Sequence, residues 1–407
     1  MLRVSTQMIA ERALSAMLDQ QAKVSSTQLQ LSSGRRVQSP ADDPASAARI
    51  LDLSGAIERN QQYQNNGDRA RARLEREESV LVGVGNLLQR ANELTIQGNN
   101  DVLSQADTAS VAAEMRQLLD ELVSLANTRD SNGEYLFSGY QSNTRPFDHV
   151  PGGGFTYAGD LGQRMLQISP DRQVADGNHG YEVFMDVATI PVASVTGAAA
   201  TSFLTPIATG DITIDGGNGN GPIALGAIPP AADAAERATQ LLDAINQVYG
   251  QTGVSVEKTT ATTLTLSAVE GNGITLGLSG SATTATTGLT ANTYPAVSST
   301  RNIFETLEEV VTQLEQNGRV DRYIGDIHLA LENILEIRSG VGGRLNAIEE
   351  QHEVNADIEL VLKTHLSEER DLDYAEAITR FERQMLALQA AQQSYVKIQS
   401  LSLFNYI

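Results

Sequence analysis

The chain has 407 residues, enough for two or three domains with cores of their own. It contains no Cys and no Trp and is only 5% aromatic, which excludes disulfides, thiolate metal sites and a cysteine nucleophile and leaves cores of Leu, Ile, Val, Ala and Met. A net charge of −21 argues against nucleic acid as a partner, because phosphate binding needs clustered Lys and Arg.

Near the start, Leu14, Met17, Val24 and Leu31 recur at helical spacing, with Gln21 and Gln28 in the intervening slots. They predict a helix over residues 6–31 that ends at Gly34, a residue able to take the left-handed conformation of a helix end. A polar link follows, and Asp43 reads as the N-cap of a helix whose first residue is Pro44. Ile50, Leu53, Ile57, Leu74, Leu81, Val84, Leu88 and Ala91 carry that second helix to about residue 99, a length suited to a rod or bundle. A third, about 106–128, carries Val111, Met115, Leu118, Leu122 and Leu125 and is predicted to return antiparallel.

Tyr135-Leu136-Phe137 reads as a short strand, after which Gly, Thr and Ala dominate to about residue 300. This middle is predicted to hold strands at 211–214, 254–256, 264–266 and 274–278 and a helix over 231–249, a small α+β domain. Helical spacing resumes with Ile303, Leu307, Val310 and Leu314 and breaks at Asn317-Gly318. It then runs from about 320 to 399, where Gly340, Gly342 and Gly343 should weaken it. In its last turns Ile378, Phe381, Met385, Leu388 and Tyr395 form one stripe, interrupted by Gln392.

The predicted fold is a mainly α rod, with long helices and coiled coil drawn from both chain ends, carrying an inserted β-rich α+β outer domain. Its segments are 1–43, 44–140, 141–300, 301–356 and 357–407. Stripes as narrow as the two terminal ones need another helix, from this chain or a neighbour, to cover them. Residues 1–41 hold five basic residues against two acidic ones. A transit peptide or membrane-surface helix fits less well than a helical domain, because acids interrupt the segment and no cleavage signal follows. No run of 18 apolar residues predicts a membrane span, and no Sec-type signal is recognisable.

Catalytic and metal patterns are weak. His149, His179, His328, His352 and His365 read as surface or interface histidines, and His352-Glu353 lacks the second histidine of a zinc motif because position 356 is Ala. The glycine and asparagine run 216–221 lacks both the Lys-Ser/Thr of a phosphate loop and the Asp of a calcium repeat, so it reads as a hairpin or linker. Asp42 and Asp43 read as caps rather than an acid/base pair. Arg35-Arg36 fits equally a solvated linker or a binder of a partner's carboxylates. The tail, with Leu401, Leu403, Phe404, Tyr406 and Ile407, is an apolar end that calls for burial against a neighbouring subunit or a chaperone.

Leu31-Ser32-Ser33-Gly34-Arg35-Arg36-Val37 followed by Ser39-Pro40-Ala41-Asp42-Asp43-Pro44 resembles the N-terminal signature of the bacterial flagellins and their junction-protein relatives. Asn132-Gly133-Glu134-Tyr135-Leu136-Phe137-Ser138-Gly139, the segment beginning Asp371-Leu372-Asp373-Tyr374 and the ending Ser402 to Ile407 resemble more narrowly the relatives that join hook to filament. The resemblance implies a structural subunit without catalysis or cofactor, exported through the flagellar type III apparatus with an uncleaved N-terminus to the flagellum outside the cell. It further implies terminal helices that are disordered in the monomer and fold into an inner tube on assembly. The partners implied are hook-associated protein 1, flagellin, copies of the chain in a ring, and an export chaperone on the C-terminal helix. Flagellin itself and an enzyme carried on a flagellin scaffold are the alternatives, the second weakened by the missing zinc motif.

Overall fold

The computed structural model describes residues 6–100, 103–150, 154–268, 272–316 and 318–403. Among them are the helices α1 (Thr6–Ser33), α2 (Pro44–Gly98), α3 (Gln105–Ala126), α4 (Ala234–Gln247), α5 (Tyr249–Thr252), α6 (Thr284–Thr287), α7 (Ile303–Glu315), α8 (Asp321–Arg370) and α9 (Tyr374–Leu403). The chain divides into a smaller unit, Met1–Gly67 with Gln167–Arg172 and Glu349–Ile407, and a larger unit, Asp68–Leu166 with Gln173–Ile348.

In the larger unit α3 packs on α7. Each starts at a side-chain cap: Ser104 and Asp107 form a reciprocal capping box, and the Asn302 side chain accepts the Glu305 N–H at 2.7 Å. Such caps are worth about 1 kcal/mol each. Val111, Met115 and Leu122 of α3 and Leu307, Val310 and Leu314 of α7 are buried. The chain's scarce aromatics are concentrated beside α7, where Phe137, Phe147, Phe155, Phe184 and Phe304 are buried with ring centroids 4.9–5.7 Å apart.

Strand pairing among the described residues is antiparallel wherever its register is seen. Strand β1 (Phe147–Val150) pairs with β2 (Gly154–Tyr157), and β3 (Met165–Ser169) with β4 (Arg172–Ala175). After a π-helical turn at Tyr181–Met185, β5 (Val187–Ala188) pairs with a strand at Thr300–Arg301, and Val192 and Val297 exchange backbone hydrogen bonds of 3.2 Å. Entry to and exit from the intervening segment are thus adjacent. Within it β6 (Ser194–Thr196), β7 (Ile212–Asp215), β8 (Ile223–Ala224), β9 (Val254–Lys258), β10 (Leu264–Ala268), β11 (Ile274–Leu278) and β12 (Asn292–Tyr294) form sheets of order β6-β10-β9 and β12-β11-β7-β8. Val195, Ile212, Ile214, Leu241, Ile245 and Leu266 lie in their shared core, which α4 helps cover. The glycine-rich run is the β7–β8 hairpin loop.

Three expectations are corrected. Tyr135-Leu136-Phe137 is not a strand: the carbonyls of Tyr135 and Leu136 accept from Arg73 at 3.0 and 3.2 Å, and that of Phe137 from Gly180 N–H and Tyr157 hydroxyl, so side chains and a loop replace a strand ladder. The glycines do not interrupt α8, and the long helical run breaks instead at residues 371–373. There Asp373 accepts the N–H groups of Ala375 and Glu376, capping α9, while Leu372 N–H turns away to the carbonyl of Gly34. Strands β1 to β6, β8 and β12 and the strand at 300–301 were not foreseen, because runs of two to five residues leave little periodicity to read.

A polar cluster is buried under the Asn132 to Gly139 loop. Arg73 bonds Asp130 at 3.0 Å and approaches Glu134 and Asp176, while Glu77, 1% exposed, accepts the Asn178 N–H at 3.2 Å. Desolvation pushes the Glu77 carboxyl from 4.5 up to about 8, against the opposing charges of Arg344 and Arg73. A raised carboxyl pKa stabilises the fold below its unfolded value and loses that contribution as pH rises through the folded value. The wild-type chain should therefore lose melting temperature, relative to Glu77→Gln, between pH 4.5 and about 8. Parallel melting curves for the two proteins across that range would contradict this.

Candidate assembly surface on the terminal helices

The smaller unit lacks the core that its helices would need to stand alone. Among the described residues its buried apolar side chains are only Val24, Val37, Ile57, Ile168, Leu372 and Ala377, yet it holds thirteen of the twenty-three exposed large apolar side chains.

Helices α1 and α9 pair antiparallel, the end of α1 beside the start of α9. The covered face of α1 runs Ala13, Met17, Gln20, Val24, Thr27, Leu31, alternating steps of four and three, and that of α9 runs Ala377, Phe381, Gln384, Leu388, Ala391, Tyr395 in the same rhythm. Polar groups sit in the middle of this seam. Gln20 Nε2 donates to the Gln384 carbonyl at 3.0 Å, Thr27 Oγ1 to Gln384 Oε1 at 2.8 Å, and Arg380 to Gln30 Oε1 at 3.2 Å. These bonds are worth about 1 kcal/mol each at best, so they set register more than strength.

Met17, Val24 and Leu31 fall on this covered face, as do Phe381, Leu388 and Tyr395, and Met385 lies half-buried at its edge. Leu14 and Ile378 do not: both are exposed, and Ala377 takes the buried position beside Ile378. The seam's polar slots are Gln20 and Thr27, not Gln21 and Gln28, which are exposed. Counting the three-four rhythm back from Leu31 would have found them. Leu14, Leu18 and Leu29 form a second, open face of α1, and Leu386 and Val396 stay open on α9. Both helices are paired with each other within the chain. Among their described side chains only Val24, Thr27 and Ala377 are buried. The side chains of Leu401 and Leu403, and Phe404, Tyr406 and Ile407 entirely, lie outside the described residues.

The linker motif builds the joint at the base of this pair. Gly34 ends α1 at φ +70°, and a Cβ there would stand 2.9 Å from the Tyr374 hydroxyl. The Ser33 hydroxyl accepts from Arg35 N–H at 3.3 Å and from the Gln38 amide at 2.9 Å, and Arg35 bridges to Asp371. Arg36 reaches Asp43 at 3.4 Å, Ser46 Oγ at 3.0 Å, Glu369 Oε2 at 3.3 Å and the Glu369 carbonyl at 2.8 Å. Glu369 also takes Arg49 Nε at 2.8 Å and Ser46 Oγ at 2.9 Å. Arg36 is therefore a binder of carboxylates within its own chain. Asp42 accepts the N–H groups of Gln38 and Ser39, closing the turn, and Asp43 caps α2 ahead of Pro44 by accepting Ser46 N–H at 3.1 Å. Glu369 carried no motif signal, because its partners Arg36, Ser46 and Arg49 lie more than 300 residues away in sequence.

Among the described residues no group of three or more His, Asp and Glu is placed to hold a metal, and His149, His328 and His365 each sit 3.2–3.3 Å from a single Glu.

The joint's carboxylates are held low. Backbone and side-chain bonds from Ser46, then Arg36, bring Asp43 from 3.8 to about 2, and Arg49, Ser46 and Arg36 lower Glu369. A lowered carboxylate stabilises the fold above its unfolded pKa and loses that contribution as pH falls through its folded value. The joint should hold constant from neutral pH to about 4 and loosen between there and about 2. Arg36→Ala should expose residues 371–373 to proteolysis several-fold faster at pH 7 without shifting the melting of the larger unit. Unchanged cleavage would contradict the joint.

Comparison with known proteins agrees with the two-ended design. A model of the bacterial flagellin N-terminal helical region matches residues 4–142, and one of the bacterial flagellin C-terminal helical region matches residues 324–407. The chain is 25% identical over 404 residues to flagellar hook-associated protein 3 of Salmonella typhimurium, covering 99% of each. It is 35% identical over 199 residues to the Escherichia coli protein of the same name, covering 49% of this chain and 62% of that one. A flagellin of Salmonella rubislaw is 30% identical over 194 residues, 46% of this chain and 39% of that one. Among solved structures, hook associated protein-3 from Legionella pneumophila shares the fold with a TM-score of 0.53 and 22% identity, over 78% of this chain and 98% of that one. With its two helical ends matched in chain order, the protein belongs to the bacterial flagellin family.

Proposed function

We propose that the chain is a structural, non-catalytic subunit of the external flagellum that joins the hook to the flagellin filament. The observation that carries this reading is the likeness to a hook-associated protein 3 along the whole of both chains. The flagellin likeness covers less than half of either partner, which makes the bulk filament subunit the weaker reading.

In this role residues 1–43 and 357–407 line an inner tube. Met17, Val24, Leu31, Phe381, Met385, Leu388 and Tyr395 form the pairing seam, and the open faces of Leu14, Leu18, Ile378 and Leu386 receive neighbouring helices. Exposed aliphatic side chains on both helices, with few buried ones between them, support this assignment. Hook-associated protein 1 lies on one axial side, flagellin on the other and copies of the chain beside it. Before assembly an export chaperone covers α9, and the chain leaves through the flagellar type III apparatus. Among the described residues no helix is long and apolar enough to cross a membrane.

Deleting the gene should leave hooks without filaments, with flagellin shed into the medium. Restoring the wild-type chain should recover filaments, whereas Phe381→Asp, which buries a charge in the seam, should not. Normal filaments in the deletion strain would overturn the junction reading.

A further inference from the structure

The glycine and asparagine run of the β7–β8 loop carries a chemistry of its own. Asparagine followed by glycine can react with itself: the glycine nitrogen attacks the side-chain amide carbon, because no side chain on the second residue hinders the approach. The sequence has such pairs starting at Asn66, Asn132, Asn218, Asn220, Asn272 and Asn317. The fold separates them. Asn66-Gly67 lies inside α2, where the helical backbone engages the glycine N–H, and the Gly133 N–H is taken by the Asp130 carbonyl at 3.1 Å. The pairs at 272 and 317 adjoin or include residues outside those described.

In the β7–β8 loop Asn218, Gly219 and Asn220 are all exposed. Gly219 stands at φ +87°, a Cβ there would meet nothing within 4 Å, and among the described residues its N–H meets no acceptor. The Asn218 amide is held at both ends. Its Nδ2 donates to the Gln251 carbonyl at 2.7 Å, and its Oδ1 accepts the Asn220 N–H at 3.3 Å. The second bond closes an Asx turn, which folds the side chain back over the Gly219 peptide. The Asn220 N–H thereby faces the oxygen on which negative charge builds during attack. Asn220 also donates its Nδ2 to the Gln251 carbonyl, at 2.8 Å, but among the described residues no N–H bonds its Oδ1.

We propose that Asn218-Gly219 is a self-modification site whose reaction unlatches the β7–β8 loop from α5. The Gly219 nitrogen gives its proton to solvent hydroxide as it bonds to Asn218 Cγ. The Cγ–Nδ2 bond then breaks with its electron pair on nitrogen, which takes up a proton and leaves as ammonia, and a cyclic imide remains. Water opens the imide at either carbonyl, giving aspartate or isoaspartate. Both products replace an N–H donor with a carboxylate oxygen, which is repelled by the Gln251 carbonyl, so Asn220 alone is left to hold the loop.

Peptide mass mapping of the purified full chain, incubated at neutral pH for increasing times, tests the site. Asn218 should convert several-fold faster than Asn132 in the same molecules. It should also convert several-fold faster in the folded chain than in the chain unfolded in guanidinium chloride, because the fold holds the reacting groups together. Conversion at Asn218 no faster than at Asn132, or no faster folded than unfolded, would overturn the site. Asn218→Asp, which makes one product directly, should be cut within residues 216–221 several-fold faster than the wild-type chain by a broad-specificity protease, with the melting temperature of the larger unit unchanged. Equal cleavage of the two chains would overturn the unlatching.

Discussion

The smaller unit depends on one guanidinium. Arg36 ties the link after α1 to the cap of α2 through Asp43 and Ser46 and to the end of α8 through Glu369, while its own N–H bonds the Arg370 carbonyl at 2.8 Å. Exposed ion pairs are individually weak, but a fork that meets acceptors on two separate segments, the start of α2 and the end of α8, fixes direction as well as distance. That direction lets α9 leave its cap at Asp373 and run back along α1. In a seam with so little burial, the joint and the polar bonds of Gln20, Thr27 and Gln384 together set the register.

The two units solve opposite problems. The larger one concentrates its aromatics, caps its helices and buries its aliphatics in the ordinary way, and its inserted sheets have their own core. The smaller one leaves its aliphatics in water and fills the centre of its seam with Gln20, Thr27 and Gln384. Exposed apolar surface on this scale would be a hazard in a lone soluble protein, but it is what a subunit needs if copies and axial neighbours complete its packing. The polar seam then serves specificity at the cost of stability, as buried amides do in coiled coils.

Much of this was legible in the sequence where the signal is periodic or rests on a cap. Helices α1, α2, α3 and α7 fall within about two residues of their expected ends, because Gly34 and Asp43 before Pro44 mark the first two by known backbone chemistry and apolar spacing bounds the others. The stripes were read one residue off at Leu14 and Ile378. A hydrophobic pattern shows that a helix is amphipathic but not how far its partner wraps round it, and both positions sit at the edge of the seam. The Tyr135 turn was misread because its strand-like side chains serve the aromatic cluster while its carbonyls are taken by Arg73. The joint was half visible: the motif at 33–44 stood out, but Glu369 reaches it only through the fold.

The central claim is that the terminal helices are left marginal by design and completed by neighbours. Hydrogen exchange, followed residue by residue in the purified chain and again in isolated flagella, tests it most directly. The account requires α1 and α9 to exchange much faster than α3 and α7 in the free chain and to become as protected as those helices in the assembled flagellum. Equal protection of all four helices in the free chain, or no gain in α1 and α9 on assembly, would contradict it.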